Sequence, residues 1–270
     1  MGRDYHSRRD KRSLHESGCE AGRDSQCLFA SGIPGRNEEL ADTFMNPALE
    51  NCFALMQTLV EYRGHPINNE LQKMRRKHSM LHLDVLTAIY HFAKIGSGHI
   101  LEIGPYLGGS AIAAAYGVRD SGQPKAIITI EPGGRCDHPT LPTKNILKDL
   151  KRNLAKFGVA HLITLIEGYS WKEETIAAVQ RRLRPGSVGL LVIDADGNVK
   201  RDLDLFHDLL ADGCWIVIDD YYMPGAKSKE VLTKPQVNAL VSAGQLEPLG
   251  LYGWGTWIGR WPGGRPATVS

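Results

Sequence analysis

Short apolar runs alternate with longer amphipathic stretches through the middle and second half of the chain. Residues 100–103, 126–130, 161–168, 188–193 and 214–218 are apolar on nearly consecutive positions. That is the pattern of strands buried on both faces. Between them, residues 110–116, 145–157, 172–183 and 201–210 place apolar side chains at helical spacing. Strand and helix in strict alternation predict an α/β fold around a parallel sheet. Near the end, L-E-P-L-G-L-Y-G and W-G-T-W-I-G-R-W flank Gly253, predicting an antiparallel hairpin at the sheet edge.

Two helices are predicted before the first strand. The stretch beginning N-P-A-L-E-N-C-F-A-L-M at Asn46 has a capping Asn, Pro at the first helical position, apolar residues at helical spacing and a closing Gly64. A second helix over 79–93 carries Leu81, Val85, Leu86, Ile89, Tyr90 and Phe92, and leads through Gly96-Ser97-Gly98 into the first strand. Residues 1–37 show neither period and are rich in Arg, Asp, Ser and Gly, a composition that does not offset its own ordering entropy. The expected organisation is a disordered leader over 1–37, a helical cap over 38–97, the α/β domain over 98–262 and a tail over 263–270.

Composition narrows the classes of function. With 270 residues, 42% hydrophobic and 23% charged, the chain can bury one substantial core. The formal net charge of +2, with the two signs interleaved, leaves no footprint for nucleic acid or a membrane surface and favours small-molecule partners. No run is long and apolar enough to span a bilayer, and no continuous apolar segment marks a secretory signal, so the expected location is the cytoplasm. Cys19, Cys27, Cys52, Cys136 and Cys214 are scattered and lack C-x-x-C spacing, which predicts reduced thiols. His78 and His82 stand four apart, but no third ligand lies near them in sequence, and a metal reading there is set aside.

The first strand ends in a glycine turn, H-I-L-E-I-G-P-Y-L-G-G-S, running from His99 to Ser110. Strand, glycines and helix start bring bare main chain and unpaired N–H groups together, an arrangement that holds a ligand. The spacing E-x-G-x-x-x-G-x-S departs from the dinucleotide fingerprint G-x-G-x-x-G. E-I-G-P-Y-L-G-G-S resembles the first motif of class I S-adenosylmethionine-dependent methyltransferases. The resemblance implies a Rossmann-like three-layer sandwich, with a seven-stranded, mostly parallel sheet ending in the antiparallel hairpin. It implies S-adenosylmethionine as cofactor, with Glu102, Gly104, Tyr106, Gly108 and Ser110 in the binding turn. Glu131 closes the second strand, where nucleoside-binding sheets place an acceptor for the ribose hydroxyls. Gly168, Tyr169 and Ser170 follow the third strand where that family lays residues around the adenine. The loop after Glu131 is read as part of a lid, with Arg135, Asp137 and His138 as substrate contacts.

The fourth strand ends in Asp194-Ala195-Asp196 and the fifth in Asp219-Asp220-Tyr221-Tyr222. In an open parallel sheet both ends open into one crevice. Carboxylates crowded there repel one another unless a cation joins them, and hard oxygen ligands select Mg²⁺, Mn²⁺ or Ca²⁺. The pattern is similar to that of metal-dependent O-methyltransferases. The catechol and caffeoyl-CoA enzymes usually carry a lysine three residues after the first aspartate and Asp-Asn after the fifth strand. Here those places hold Gly197 and Asp219-Asp220, and D-x-D with D-D-Y looks instead like the sugar O-methyltransferases of macrolide and aminocoumarin pathways. That resemblance implies Asp194, Asp219 and Asp220 as metal ligands, Asp194 also beside the cofactor, and Asp196 as general base. The expected reaction is methyl transfer to a hydroxyl of a small molecule, a sugar or a phenolic diol of secondary metabolism. A metal-independent methyltransferase and a non-catalytic cofactor-binding protein remain open, as does a homo-oligomer through the N-terminal helices. Trp254, Trp257 and Trp261 are read as packing residues rather than walls of a substrate pocket.

Overall fold

The computed structural model describes residues 47–222 and 229–263. The expected leader over 1–37, the capping Asn46, Cys19 and Cys27, and residues 264–270 of the expected tail lie outside the described residues.

Strands β1 (His99–Ile103), β2 (Ile127–Glu131), β3 (Ile163–Glu167), β4 (Val188–Ile193) and β5 (Leu210–Ile218) are parallel. Strands β6 (Glu247–Tyr252) and β7 (Thr256–Arg260) pair antiparallel with each other, and β7 pairs antiparallel with β5. The order across the seven-stranded sheet is β3-β2-β1-β4-β5-β7-β6. The order of strand addition reverses between β1 and β4, which opens a crevice at their carboxyl ends.

Helices α1 (Pro47–Tyr62), α2 (Pro66–His78), α3 (Leu83–Ile95), α4 (Gly109–Ser121) and α5 (Ile146–Lys156) pack on one face of the sheet. Helices α6 (Glu173–Gln180), α7 (Val199–Phe206) and α8 (Lys229–Ser242) cover the other. Strand alternation sorts the core: Ile100, Ile127, Leu190 and Val192 face the first layer, and Leu101, Ile103, Leu191 and Ile193 face the second. Burial of one such side chain is worth roughly 1.5–3 kcal/mol. The central strands β1 and β4 are therefore apolar on both sides.

Two helices escape the hydrophobic pattern. In α2, only Ile67, Leu71 and Met74 are buried along a predominantly polar segment. Helix α8 carries Pro235 inside it. The helix expected over 79–93 begins at Leu83, because the His82 ring accepts the Asp84 N–H and caps it there. His78 ends α2 and His82 precedes α3, so the two rings do not share one helix face. The fifth strand starts four residues earlier than its apolar run, at Leu210, after a single 3₁₀ turn over His207–Leu209.

Candidate active site

Strand register builds the site. The Asp194 N–H donates to Ile103 O at 2.9 Å and the Asp219 N–H to Ile193 O at 3.0 Å, so the ladder carries both aspartates to the tips of adjacent strands. Asp220 follows with φ 55, a left-handed conformation uncommon for a side-chain-bearing residue. One carboxylate oxygen from each of Asp194, Asp219 and Asp220 lies within 4.8 Å of the others. Thr256 Oγ1 on β7 donates to Asp219 Oδ1 at 2.5 Å.

Burial, reinforced by the neighbouring Asp219, pushes the Asp194 carboxyl up to about 8. Burial also raises Asp219, against the opposing Thr256 hydroxyl. Lys229, at the start of α8, reaches Asp220 and Asp194: its Nζ is 3.1 Å from Asp220 Oδ2 and 3.6 Å from Asp194 Oδ1. Burial works against the Lys229 charge, but Asp194 and Asp220 outweigh it and hold the ammonium above its ordinary pKa. Gly197 makes the approach of α8 feasible, since a Cβ there would stand 3.1 Å from the Lys229 carbonyl oxygen and 3.2 Å from Thr233 Oγ1. Where the resembled enzymes carry a lysine on the loop after β4, this chain has a glycine, and a lysine enters from α8.

Two cavities meet at these carboxylates. One, of about 260 Å³, is lined by Gly104, Tyr106, Glu131, Gly168, Tyr169, Ser170, Asp194 and Asp196, with Met80 and Lys229 at its edge. Gly104 has φ +87, and a Cβ there would collide with the Asp194 carbonyl oxygen, so glycine is required both by the turn and by the closeness of β1 to β4. Glu131 is buried, with its Oε2 accepting the Tyr106 N–H at 3.2 Å and its Oε1 accepting the Gly133 N–H at 2.9 Å. Burial raises its pKa while those two N–H groups oppose the rise. The carboxylate is thus fixed at the cavity wall.

The second cavity, of about 620 Å³, shares Met80, Asp194 and Lys229 with the first. Its walls add Arg75 and Arg76 from α2, Ser79 and His82 from the α2–α3 connection, His138 from the loop after β2, and Asp219, Asp220 and Trp254. That loop is closed on itself by reciprocal backbone bonds between Cys136 and Thr143, and the Tyr106 hydroxyl donates to the Leu141 carbonyl. It borders both cavities, with Cys136 in one and Leu141 in the other.

Several expected site residues sit elsewhere. Glu102, Gly108 and Ser110 line neither cavity. Gly108 caps α4 against Leu150, and Glu102 lies beneath the turn, its carboxyl pushed up to about 7 by burial, with the Ser110 hydroxyl opposing. Both Glu102 oxygens lack a hydrogen-bond partner of ordinary geometry among the described residues. Ser170 spends its hydroxyl on Asp202 at 2.6 Å, beneath the wall. Arg135 and Asp137 pair with each other in solvent, and of that trio only His138 reaches a cavity.

Asp196, expected as general base, is held by Arg201. Arg201 grips its two oxygens at 2.8 and 3.0 Å, and the Asn198 N–H donates to it at 3.1 Å. Although partial burial pushes the other way, the Arg201 hydrogen bonds hold its pKa below the usual value. It lines the first cavity and not the second. The tryptophans divide as well. Trp257 is buried and Trp261 packs against the core, but Trp254 is 60% exposed and lines the larger cavity.

Residues 101–221 match the family model of a methyltransferase domain. The sheet order and the glycine turn agree with that match. No curated protein matches the sequence significantly. Among solved structures, the chain is similar to cofactor-bound Rv0187 from MTB, at 19% identity and a TM-score of 0.53 over 83% of this chain and 92% of that one. It is similar to a Staphylococcus aureus protein assigned as a caffeoyl-CoA O-methyltransferase, at 18% identity and a TM-score of 0.52 over 78% and 99% of the two chains. It is also similar to CalS11, a calicheamicin methyltransferase, at 19% identity and a TM-score of 0.51 over 87% and 100%. At these identities the likeness is one of fold.

In the described chain no helix is long and apolar enough to cross a membrane. Cys52, Cys136 and Cys214 are free thiols.

Proposed function

We propose that this methyltransferase moves a methyl group from S-adenosylmethionine to a hydroxyl of a small molecule. The observation that carries the reading is the meeting of the two cavities at Asp194: a cofactor-sized wall with a fixed Glu131 opens there into a larger chamber rimmed by three carboxylates. Gly104 offers bare main chain, Glu131 suits the ribose hydroxyls, and Tyr169, 49% exposed at the cavity, offers a face to the adenine. The sulfonium is already activated. The chain's tasks are to align the acceptor oxygen in line with the methyl group, to exclude water and to take up one proton.

Asp194, Asp219 and Asp220 fit a divalent cation, Mg²⁺ before Mn²⁺ or Ca²⁺. Their donors are hard oxygens, they converge, and without a cation their charges are costly enough to push Asp194 up to about 8 through burial and Asp219. Such an ion, when bound, would lower the pKa of an acceptor hydroxyl and fix its orientation. Thr256 would hold Asp219 in place, and Lys229 would yield its position to the ion.

A metal-free reading is favoured by one observation, the Lys229 ammonium already seated on Asp194 and Asp220. There the lysine itself neutralises the carboxylates, and a carboxylate of the cluster accepts the proton. Transfer of labelled methyl from S-adenosylmethionine to vicinal-diol acceptors, with chelator and with added Mg²⁺, tests both. Chelator-sensitive transfer supports the metal reading, chelator-resistant transfer the second, and no transfer to any hydroxyl acceptor contradicts the proposal.

Two copies would associate through α1. Leu49, Phe53, Met56 and Val60 recur every three or four residues and are each about half exposed, forming one apolar stripe opposite the buried Leu55 and Leu59.

A further inference from the structure

The larger cavity is lined by charges of both signs, with Lys229 and Glu230 among them. Asp194, Asp219 and Asp220 stand at the strand tips, and Arg75, Arg76, His82 and His138 line the same cavity from α2, the α2–α3 connection and the loop after β2. We infer that the acceptor carries an oxyanion, a carboxylate or a phosphate, in addition to the hydroxyl that is methylated, and that Arg75 and Arg76 receive it. This rests on the methyl-transfer reading above and specifies its substrate class.

Arg75 is the organised member of the group. Its Nε donates to the Leu81 carbonyl at 2.8 Å, and its guanidinium carbon lies 4.7 Å from the centre of the Trp254 ring. One backbone bond and one aromatic face thus hold the side chain in place, which reduces the entropy lost when a ligand binds. Its two terminal nitrogens form no hydrogen bond among the described residues, and neither Arg75 nor Arg76 has a carboxylate in ion-pair range there. A planar fork of N–H groups without a partner matches a carboxylate or phosphate.

The histidines add donors. His82 Nδ1 accepts the Asp84 N–H at 3.2 Å, and His138 Nδ1 accepts the N–H groups of Thr140 at 3.2 Å and Leu141 at 3.3 Å. With Nδ1 accepting, the neutral ring carries its proton on Nε2, and each histidine is a donor through that atom. His82 also meets Trp254 edge to face, with ring centres 5.3 Å apart. A neutral acceptor would leave this collection of donors without an anion to satisfy them, at the cost of a partly desolvated charge. An acceptor that carries both a hydroxyl and an oxyanion satisfies both groups of lining residues.

The test is calorimetric binding in the presence of S-adenosylhomocysteine and Mg²⁺, using paired probes: a vicinal dihydroxybenzoate against its amide, and glycerol phosphate against glycerol. Wild-type protein is expected to prefer the anionic member of at least one pair by on the order of tenfold, the worth of one good charge-assisted contact. A preference in the first pair identifies a carboxylate and in the second a phosphate. Arg75→Gln and the double variant Arg75→Gln/Arg76→Gln should abolish the preference, Arg75→Lys should retain part of it, and all three should bind S-adenosylhomocysteine as wild type does, which shows that they fold. Equal binding of anionic and neutral probes by wild type, or a preference that survives the double variant, overturns the inference alone. Failure of wild type to bind S-adenosylhomocysteine overturns the methyl-transfer reading and this inference with it.

Discussion

The Lys229 ammonium lies 3.1 Å from the Asp220 carboxylate and 3.6 Å from that of Asp194, two of the three carboxylates proposed to hold a cation. A lysine and a divalent ion drawn to the same carboxylates compete. Lys229→Met is expected to tighten Mg²⁺ binding by on the order of tenfold, measured by calorimetry on the purified protein. Unchanged or weaker Mg²⁺ binding would show that the lysine supports the site instead of competing for it.

Asp194 sets a pH dependence of stability. Its folded pKa is pushed up to about 8 by burial and by Asp219, well above the unfolded value of about 3.9. A group raised in this way stabilises the fold fully below its unfolded pKa, and that contribution is lost as pH climbs through the folded value. Without metal, the melting temperature should therefore fall between about pH 4 and pH 8. Asp194→Asn should flatten the slope, and Mg²⁺ should offset the loss at the alkaline end. A slope that is the same in Asp194→Asn would assign the effect to another group, with Glu102 the first to examine.

Asp196 is bound by Arg201, and its replacement discriminates between two roles. A general base contributes about 10²–10⁴ in rate. Asp196→Asn is expected to lower kcat by less than about tenfold, with any change appearing mainly in KM for S-adenosylmethionine, because the residue lines the cofactor cavity. A fall in kcat of a thousandfold at unchanged KM would assign it as the base.

The stripe on α1 gives an assembly test. A charge at Phe53 or Val60, both exposed, should leave the fold intact and convert a dimer to a monomer in sedimentation equilibrium. A monomeric wild type would remove the proposal.

Much of this architecture could be read along the chain, for a physical reason. Strands β1 and β4 are buried on both faces, so their sequences are continuous apolar runs that periodicity cannot confuse with surface. Their ends, at Gly104 and Asp194, mark the crevice directly. Helix α2 was invisible because three buried residues suffice to dock it, and α8 because Pro235 reads as a breaker. The groups those helices deliver were missed with them: Arg75 and Arg76 from α2, and Lys229 from α8. Trp254 reads as a packing residue at a sheet edge, and only the approach of Arg75 and His82 reveals its second role. The Arg201 partner of Asp196 is legible in part, since Arg201 stands five residues on, at the start of an amphipathic helix that turns it back towards the carboxylate.

The most direct test is calorimetric titration with S-adenosylmethionine, with and without Mg²⁺ and vicinal-diol compounds, on wild type and Asp219→Ala. The account predicts cofactor binding by both proteins and diol uptake that requires Mg²⁺ and disappears in the variant. Diol uptake indifferent to Mg²⁺ would contradict the metal site, and absence of cofactor binding would contradict the reading of the turn from Gly104 to Ser110 on which the rest depends.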